Sequence, residues 1–251
     1  MRSRVSVLAA IFLIGCSRSQ PPVITVSVAA SLQDAVKQIG PAFEQSRPGT
    51  RVQFNFGGSG TLERQIEQGA PVDVFLSAAS GPMDELAKNG LIDPTTRYNL
   101  LRNDVVLIAP AGSKHPDSFE DLAQSAVKLI ALGDPGSVPA GDYGRQVLEK
   151  MQLWPAVQKK LVLAKDVRQV LTYVETGEAD AGIVYSTDAR LSSRVRVAAA
   201  APETSHQPVI YPVAVVKNTH NSTAARAFAS YLNGPEARRT FTRLGFSTVS
   251  P

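Results

Sequence analysis

The stretch DVRQVLTYVETGEADAGIVYSTDA, residues 166–189, contains the two patterns that decide the fold class. Apolar residues at helical spacing run through 167–176, and Gly177 follows at a position where glycine commonly ends a helix. The short apolar run 182–185 is rich in β-branched and aromatic residues, so it predicts a buried strand. A helix that passes directly into a strand is typical of α/β proteins.

The same alternation of strand and helix extends over most of the chain. Further strands are predicted at 23–28, 50–56, 72–76, 105–108 and 128–132. Further helices are predicted at 31–44, 61–68, 81–88, 140–151 and 222–232. Because such alternation produces parallel strands that are covered by helices on both faces, we expect an α/β fold with mainly parallel sheets.

Two extended apolar stretches are predicted to carry the chain between two lobes. They are NLLRNDVVLIAP at 99–110 and QPVIYPVAVV at 207–216. If the chain crosses twice between the lobes, its C-terminal helices lie on the first lobe. We therefore expect lobe 1 to comprise 23–104 plus 212–251, and lobe 2 to comprise 105–211. A single continuous doubly wound sheet is the alternative.

The N-terminus has the pattern of a secretory signal. Arg2 and Arg4 precede an apolar run at 5–14, which is shorter than the ~20 residues that a membrane-spanning helix needs. The run ends in LIGC, which resembles a bacterial lipobox. We therefore predict a lipoprotein-type signal peptide at 1–15, a lipid on Cys16 and a tether at 16–22, which place the protein outside the cytoplasm on a membrane. An ordinary signal peptide is the alternative.

Composition argues against several classes of function. Cys16 is the only cysteine, so the mature chain has no disulfide framework and no thiol nucleophile. The formal net charge of +4 falls to +2 without Arg2 and Arg4, and no basic cluster indicates nucleic-acid binding. The three histidines are scattered, and no G-x-S-x-G motif is present. We therefore predict no catalytic residues and no residues that directly ligate a cation.

Small and polar residues are concentrated where predicted strands give way to helices. Four such junctions lie at 28–32, 56–62, 133–141 and 165–168. Ser31 and Ser59 stand at two of them, where a hydroxyl and unpaired backbone N–H groups at the positive end of a helix together form an anion site. Plain capping of the helix is the alternative for either serine. The glycines beside Ser59 are expected to let the backbone approach a ligand closely.

At these junctions the sequence resembles the periplasmic molybdate-binding proteins of ABC importers. The resemblance covers about 24–247 and rests on the opening stretch and on four others, VAASLQDA, TLERQIEQGAPVDVFLSA, GDPGSVPAGDYG and YPVAVV. It implies a two-lobed type II periplasmic-binding-protein fold with the ligand in the interlobe cleft. It also implies that the protein, acting as a monomer, binds molybdate or tungstate and delivers it to the membrane permease of an ABC importer.

The resemblance further implies a site built from hydrogen bonds alone. The hydroxyl donors would be Ser31, Ser59 and Tyr185, and the backbone donors would lie around Ala140 and Val167. No cofactor is implied, because molybdenum would be bound as its oxyanion.

The charges near the junctions fit an oxyanion without its own proton. A site with donors and no carboxylate acceptor disfavours hydrogen phosphate, whose proton would be unpaired on burial. Asp134 and Asp166 are therefore interpreted as loop ties or helix caps, and Arg168 is considered as an offset to the ligand's charge.

Three alternatives remain open on the residues alone. One is a receptor for sulfate or another tetrahedral oxyanion. The others are an α/β enzyme that acts on a phosphorylated or sulfated small molecule, for which no general base is found, and a lipoprotein with a structural role.

Overall fold

The computed structural model describes residues 22–249, which form two β-sheets covered by helices. In chain order the elements are β1 (Val23–Ala29), α1 (Gln33–Ser46), β2 (Arg51–Gly57), α2 (Ser59–Glu67), β3 (Val74–Leu76), α3 (Ser80–Lys88), β4 (Tyr98–Arg102), β5 (Val105–Pro110), β6 (Ile130–Gly133), α4 (Pro139–Lys150), α5 (Trp154–Val157), β7 (Leu161–Ala164), α6 (Val167–Glu175), β8 (Ala181–Tyr185), α7 (Ser186–Ala189), β9 (Val195–Ala200), β10 (Ile210–Val215), α8 (Ser222–Leu232), α9 (Pro235–Arg243) and β11 (Ser247–Thr248). A short 3-10 helix, Ala30–Leu32, joins β1 to α1.

The strands belong to two separate sheets rather than to one continuous sheet. The first has the order β11-β4-β10-β3-β1-β2, and the second has the order β7-β6-β8-β5-β9. The α/β class with two helix-flanked sheets is confirmed, but the expectation of mainly parallel sheets is wrong. Strand β1 pairs in parallel with β2 and β3, and β6 with β7 and β8, whereas β5, β10 and β11 pair antiparallel with their neighbours. The sheets are mixed because β5 and β10, the strands by which the chain enters each sheet at a crossing, run against the parallel set.

The chain passes twice between the sheets. Only Asn103 and Asp104 separate β4 in the first sheet from β5 in the second, and 201–209 lead from β9 back to β10. Strand β10 begins at Ile210, which pairs with Arg102 in the first sheet. The lobe boundaries given above for the whole chain stay a prediction.

Helix α6 shows why the local sequence folds as it does. Its apolar positions Val167, Val170, Leu171 and Val174 are all buried, so one face packs against the second sheet while the other face meets solvent. Burying side chains of this size contributes ~1.5–3 kcal/mol each. The side chain of Asp166 caps the helix by accepting a hydrogen bond from the backbone N–H at the third helical position.

The predicted signal peptide, the predicted lipidation site Cys16 and most of the predicted tether lie outside the described residues. Within 22–249, no helix has the length and apolar character needed to cross a membrane.

Candidate functional site

A small cavity of about 10 Å³ lies between the two sheets, at the strand ends. It is lined by Ala29, Ala30, Ser31, Gly57, Gly58, Ser59, Ala78, Val138, Pro139, Ala140, Asp166, Val167 and Tyr185. All five residues singled out from the sequence as ligand donors are among them. The structure thus brings these residues together from positions more than 150 residues apart in the chain, as the interval from Ser31 to Tyr185 shows. Their role as ligand donors stays a prediction.

Four helix beginnings converge on this cavity. They are the 3-10 helix before α1 and the first turns of α2, α4 and α6, which begin at Ser59, Pro139 and Val167. The first N–H groups of a helix have no acceptor within that helix. They therefore provide a set of donors at the positive ends of the helix dipoles, a combination that favours an anion.

The two serines present hydroxyls to the cavity and do not cap their helices. Ser31 and Ser59 are both buried, and neither side chain makes a capping hydrogen bond. The Ser31 hydroxyl lies 3.1 Å from the Tyr211 hydroxyl, and Ser59 Oγ accepts a hydrogen bond of 2.9 Å from the backbone N–H of Ala78. Plain helix capping therefore does not account for either serine.

Tyr185 reaches the cavity from the second sheet. Its ring is 1 % exposed and packs against the rings of Tyr143 and Tyr211. Burial raises the pKa of the phenol well above its usual value of 10, so the group keeps its proton and remains a donor. Its hydroxyl lies 3.4 Å from the carbonyl oxygen of Ala78, which is long for an O–H···O hydrogen bond. The hydroxyl could therefore donate its hydrogen bond to a better acceptor in the cavity at little cost.

The glycines beside Ser59 allow backbone from the opposite lobe to approach closely. A Cβ on Gly58 would lie 2.7 Å from the carbonyl oxygen of Ser137, and one on Gly60 would lie 3.1 Å from the same atom. The N–H of Gly60 also donates to that carbonyl at 2.9 Å. The structure therefore shows a close approach of backbone from across the cleft, and the expected close approach to a ligand stays a prediction.

The two nearby aspartates are occupied by local hydrogen bonds, as predicted. Asp166 Oδ1 accepts from the N–H of Gln169 at 2.9 Å. Asp134 accepts from the N–H of Gly136 at 3.2 Å and from the hydroxyl of Ser137 at 2.8 Å. Both carboxylates thus hold loops and helix ends in place.

Arg168 is neutralised by two carboxylates that the local sequence patterns did not single out. Its Nη1 lies 2.6 Å from Asp34 Oδ2, and its Nη2 donates to the backbone oxygen of Ser31 at 3.0 Å, so it crosses the cleft. Its Nε lies 2.7 Å from Asp188 Oδ1 as an ion pair in which the N–H is poorly aimed at the oxygen. Burial raises the pKa of Asp188 to about 6, although Arg168 acts to lower it. The arginine charge is therefore already paired, which corrects the idea that it offsets a ligand.

The arrangement suits the capture of a small anion better than a reaction. The cavity offers hydroxyls and helix-terminal N–H groups, and its one carboxylate, Asp166, is engaged in a cap. Within the part of the chain that the structure describes, no group of three or more His, Cys, Asp or Glu side chains is placed to hold a metal ion.

Comparisons with known proteins agree with this geometry. The family model described as bacterial extracellular solute-binding protein matches residues 24–247. The molybdate-binding protein ModA of Escherichia coli is 44 % identical over 89 % of this chain and 88 % of its own length. A putative ABC transporter substrate-binding lipoprotein of Bacillus subtilis, YvgL, is 42 % identical over 97 % of this chain and 96 % of its own length.

A solved structure extends the similarity to three dimensions. The substrate-binding domain of a putative molybdenum ABC transporter from Clostridium difficile has a TM-score of 0.69 and 37 % identity, covering 91 % of this chain and 99 % of its own. These matches place the protein among binding components of transport systems and not among enzymes. The chain belongs to the family of bacterial extracellular solute-binding proteins.

Proposed function

We propose that this protein binds molybdate outside the cytoplasm and delivers it to the permease subunits of an ABC importer. The convergence of four helix beginnings and three buried hydroxyls on one small cavity carries the proposal. Support for molybdate in particular comes from the Escherichia coli relative, whose name states that it binds molybdate. Tungstate has the same shape and charge, so we propose that the same site accepts it.

The proposed ligands are the hydroxyls of Ser31, Ser59 and Tyr185 and the backbone N–H groups of Ala140 and Val167. None of these groups carries a formal charge. A dianion is nevertheless held in such a site because amide dipoles and helix termini spread compensating positive charge around it. The five residues are all buried, and burial strengthens each of these interactions.

The ligand would join the two lobes. Ser31 and Ser59 belong to elements of the first sheet, whereas Ala140, Val167 and Tyr185 belong to elements of the second. An oxyanion that accepts from both sides favours the closed arrangement, as in other proteins whose domains close around a ligand. We propose that the permease recognises this closed form of a single, monomeric protein.

The lipid anchor is a further part of the proposal. Cys16 stands in LIGC after a short apolar run, and the Bacillus subtilis relative that matches 97 % of this chain is named a lipoprotein. A Cys16→Ser variant should be released from the membrane fraction, whereas the wild type should partition into detergent. Equal membrane retention of the two forms would contradict lipidation at Cys16.

A ligand panel tests the function directly. Molybdate, tungstate, sulfate, phosphate and vanadate are added separately to the purified protein, and thermal unfolding and calorimetric titration are recorded. A ligand at ~100 times its dissociation constant should stabilise the fold by ~2.7 kcal/mol. We expect this for molybdate and tungstate. A response to sulfate alone would favour a sulfate receptor, and no response to any oxyanion would overturn the proposal.

A further inference from the structure

A buried chain of hydrogen bonds connects the two crossings of the fold to the candidate site. Asn103 lies in the two-residue connection between β4 and β5, and Tyr211 lies near the start of β10 at an irregularity in strand pairing. Both side chains are buried. A bulge of this kind re-aims a side chain, and here the Tyr211 hydroxyl ends 3.1 Å from that of Ser31.

The orientation of the Asn103 amide is fixed by its neighbours. Its Oδ1 accepts from the backbone N–H of Asp104 at 3.0 Å and from the hydroxyl of Ser186 at 3.0 Å. Since a backbone N–H can only donate, the oxygen must face that side. The Nδ2 group therefore faces the other side, where it donates to Thr187 Oγ1 at 2.8 Å and to the Tyr211 hydroxyl at 3.1 Å.

The direction of the next hydrogen bond follows from this one. The Tyr211 oxygen already accepts from Asn103, so its own proton is directed to the remaining partner, Ser31 Oγ. Burial raises the pKa of Tyr211 far above its usual value, which keeps that proton in place. Ser31 Oγ is thus an acceptor toward Tyr211, and its own hydrogen points away from Tyr211, toward the cavity.

We propose that Asn103 and Tyr211 fix Ser31 as a hydrogen-bond donor to the ligand and so act as specificity-determining residues. This inference rests on the proposed binding of an oxyanion. Ser59 is oriented in the same way, because the N–H of Ala78 donates to its oxygen and cannot accept its proton. Neither partner can then accept the serine proton, so each serine keeps its proton for the cavity, although an isolated hydroxyl can donate or accept with equal ease.

The consequence is selection by protonation state. Molybdate and hydrogen phosphate are both dianions, but hydrogen phosphate carries a proton that needs an acceptor. The serine hydroxyls point their own protons into the cavity, so the proton of hydrogen phosphate would face other donors and find no acceptor. Burying that unpaired proton is costly. Asn103 and Tyr211 thus impose this penalty without touching the ligand.

Two variants interrupt or reverse this chain of hydrogen bonds. Tyr211→Phe removes the proton given to Ser31 and frees the serine hydroxyl to accept. Asn103→Asp replaces the donor that faces Tyr211 with an acceptor, so that Tyr211 donates to residue 103 and Ser31 donates to Tyr211. Tyr98→Phe is the matched control, because its partly buried hydroxyl donates to the Ala229 carbonyl oxygen within the first lobe, outside the cavity lining.

The experiment measures the dissociation constants of molybdate and hydrogen phosphate for the full chain and each variant at mildly alkaline pH. A general effect of charge or stability changes both affinities alike, so it leaves the ratio of the two affinities unchanged. We expect this selectivity ratio to fall at least tenfold in Tyr211→Phe and Asn103→Asp and to stay within twofold of wild type in Tyr98→Phe. Unfolding curves of each protein without ligand establish that it is folded.

The outcomes separate the inference from the function on which it rests. An unchanged ratio in both variants, with molybdate still bound, overturns the inference and leaves the proposed function intact. If the selectivity ratio falls in Tyr211→Phe but not in Asn103→Asp, the role proposed for Asn103 is overturned. If the wild type binds sulfate and not molybdate, the proposed function fails, and the same ratio measured with sulfate still tests the inference. If the wild type binds no unprotonated oxyanion, both are overturned.

Discussion

Replacing Tyr185 with Phe separates a ligand-binding role for its hydroxyl from a structural one. The change keeps the ring, and hence its packing against Tyr143 and Tyr211 at centroid distances of 6.4 and 5.8 Å. Only one hydroxyl is removed. This hydroxyl has a 3.4 Å contact with the Ala78 oxygen, which is weaker than a normal hydrogen bond worth ~1 kcal/mol.

The expected effect on affinity is larger than the effect on stability. A hydrogen bond to a charged acceptor contributes ~1.5–3 kcal/mol. At about 1.4 kcal/mol per decade, the Tyr185→Phe variant should bind molybdate roughly tenfold to a hundredfold more weakly. Its free energy of unfolding without ligand should fall by less than ~1 kcal/mol, because the lost contact is long.

Two measurements on each protein decide the matter: calorimetric titration with molybdate and urea unfolding without ligand. Tyr98→Phe serves again as the control, since it removes a 2.5 Å hydrogen bond to the Ala229 oxygen. The control should lose ~1 kcal/mol of stability and keep its affinity. If Tyr185→Phe instead behaves like this control, its hydroxyl is structural and the assignment is refuted.

Three further predictions concern the contacts between and within the lobes. Arg168→Met should lower the free energy of unfolding at neutral pH by about 3 kcal/mol, because the buried Asp188 loses its counter-charge, and adding Asp188→Asn should restore most of it in urea unfolding. The raised pKa of Asp188, about 6 against 3.8, means that its stabilising contribution is complete below about pH 4 and is lost as the pH rises through 6. Wild type should therefore lose roughly 3 kcal/mol relative to Asp188→Asn across that interval, and a constant difference would contradict this. Gly58→Ala places a Cβ 2.7 Å from the Ser137 oxygen, so solution scattering should show a less compact molybdate-bound form than for the control Gly81→Ala, where the added Cβ meets open space, and equal profiles would argue against it.

Local sequence patterns predicted the elements that bury one whole face. They missed strands at the edges of a sheet and helices that bury few residues. Helix α8 was predicted at 222–232 and forms there, because its apolar face packs on the core. Strands β7 and β9 lie at the two edges of the second sheet and expose Leu163 and Val197, so they lack the alternation that identifies a half-buried strand. Helix α9 buries only Ala237 and Phe241, too few for its period to be recognised.

The candidate site divides in the same way between local and long-range information. The serines at strand ends and the aspartate caps follow from short stretches of sequence, and the resemblance supplied Ala140 and Tyr185. The hydrogen-bond and ion-pair partners of the site residues could not be predicted from the sequence. Tyr211 lies 180 residues from Ser31, and Asp188 meets Arg168 only because α6 and α7 pack together. Spacing along the chain carries no signal for contacts that tertiary folding creates.

The position of β10 in the first sheet sets the order in which the molecule can be assembled. Strand β10 lies between β3 and β4, so Ile210 pairs with Arg102 and Val213 with Leu76 only after the whole second sheet has been synthesised. Contacts that close such long loops slow folding, because the entropy of closure comes before the stabilising contacts. Until β10 arrives, β3 and β4 are open edges of the kind that pair with other chains. A chain truncated before residue 210 should therefore aggregate rather than persist as a folded half.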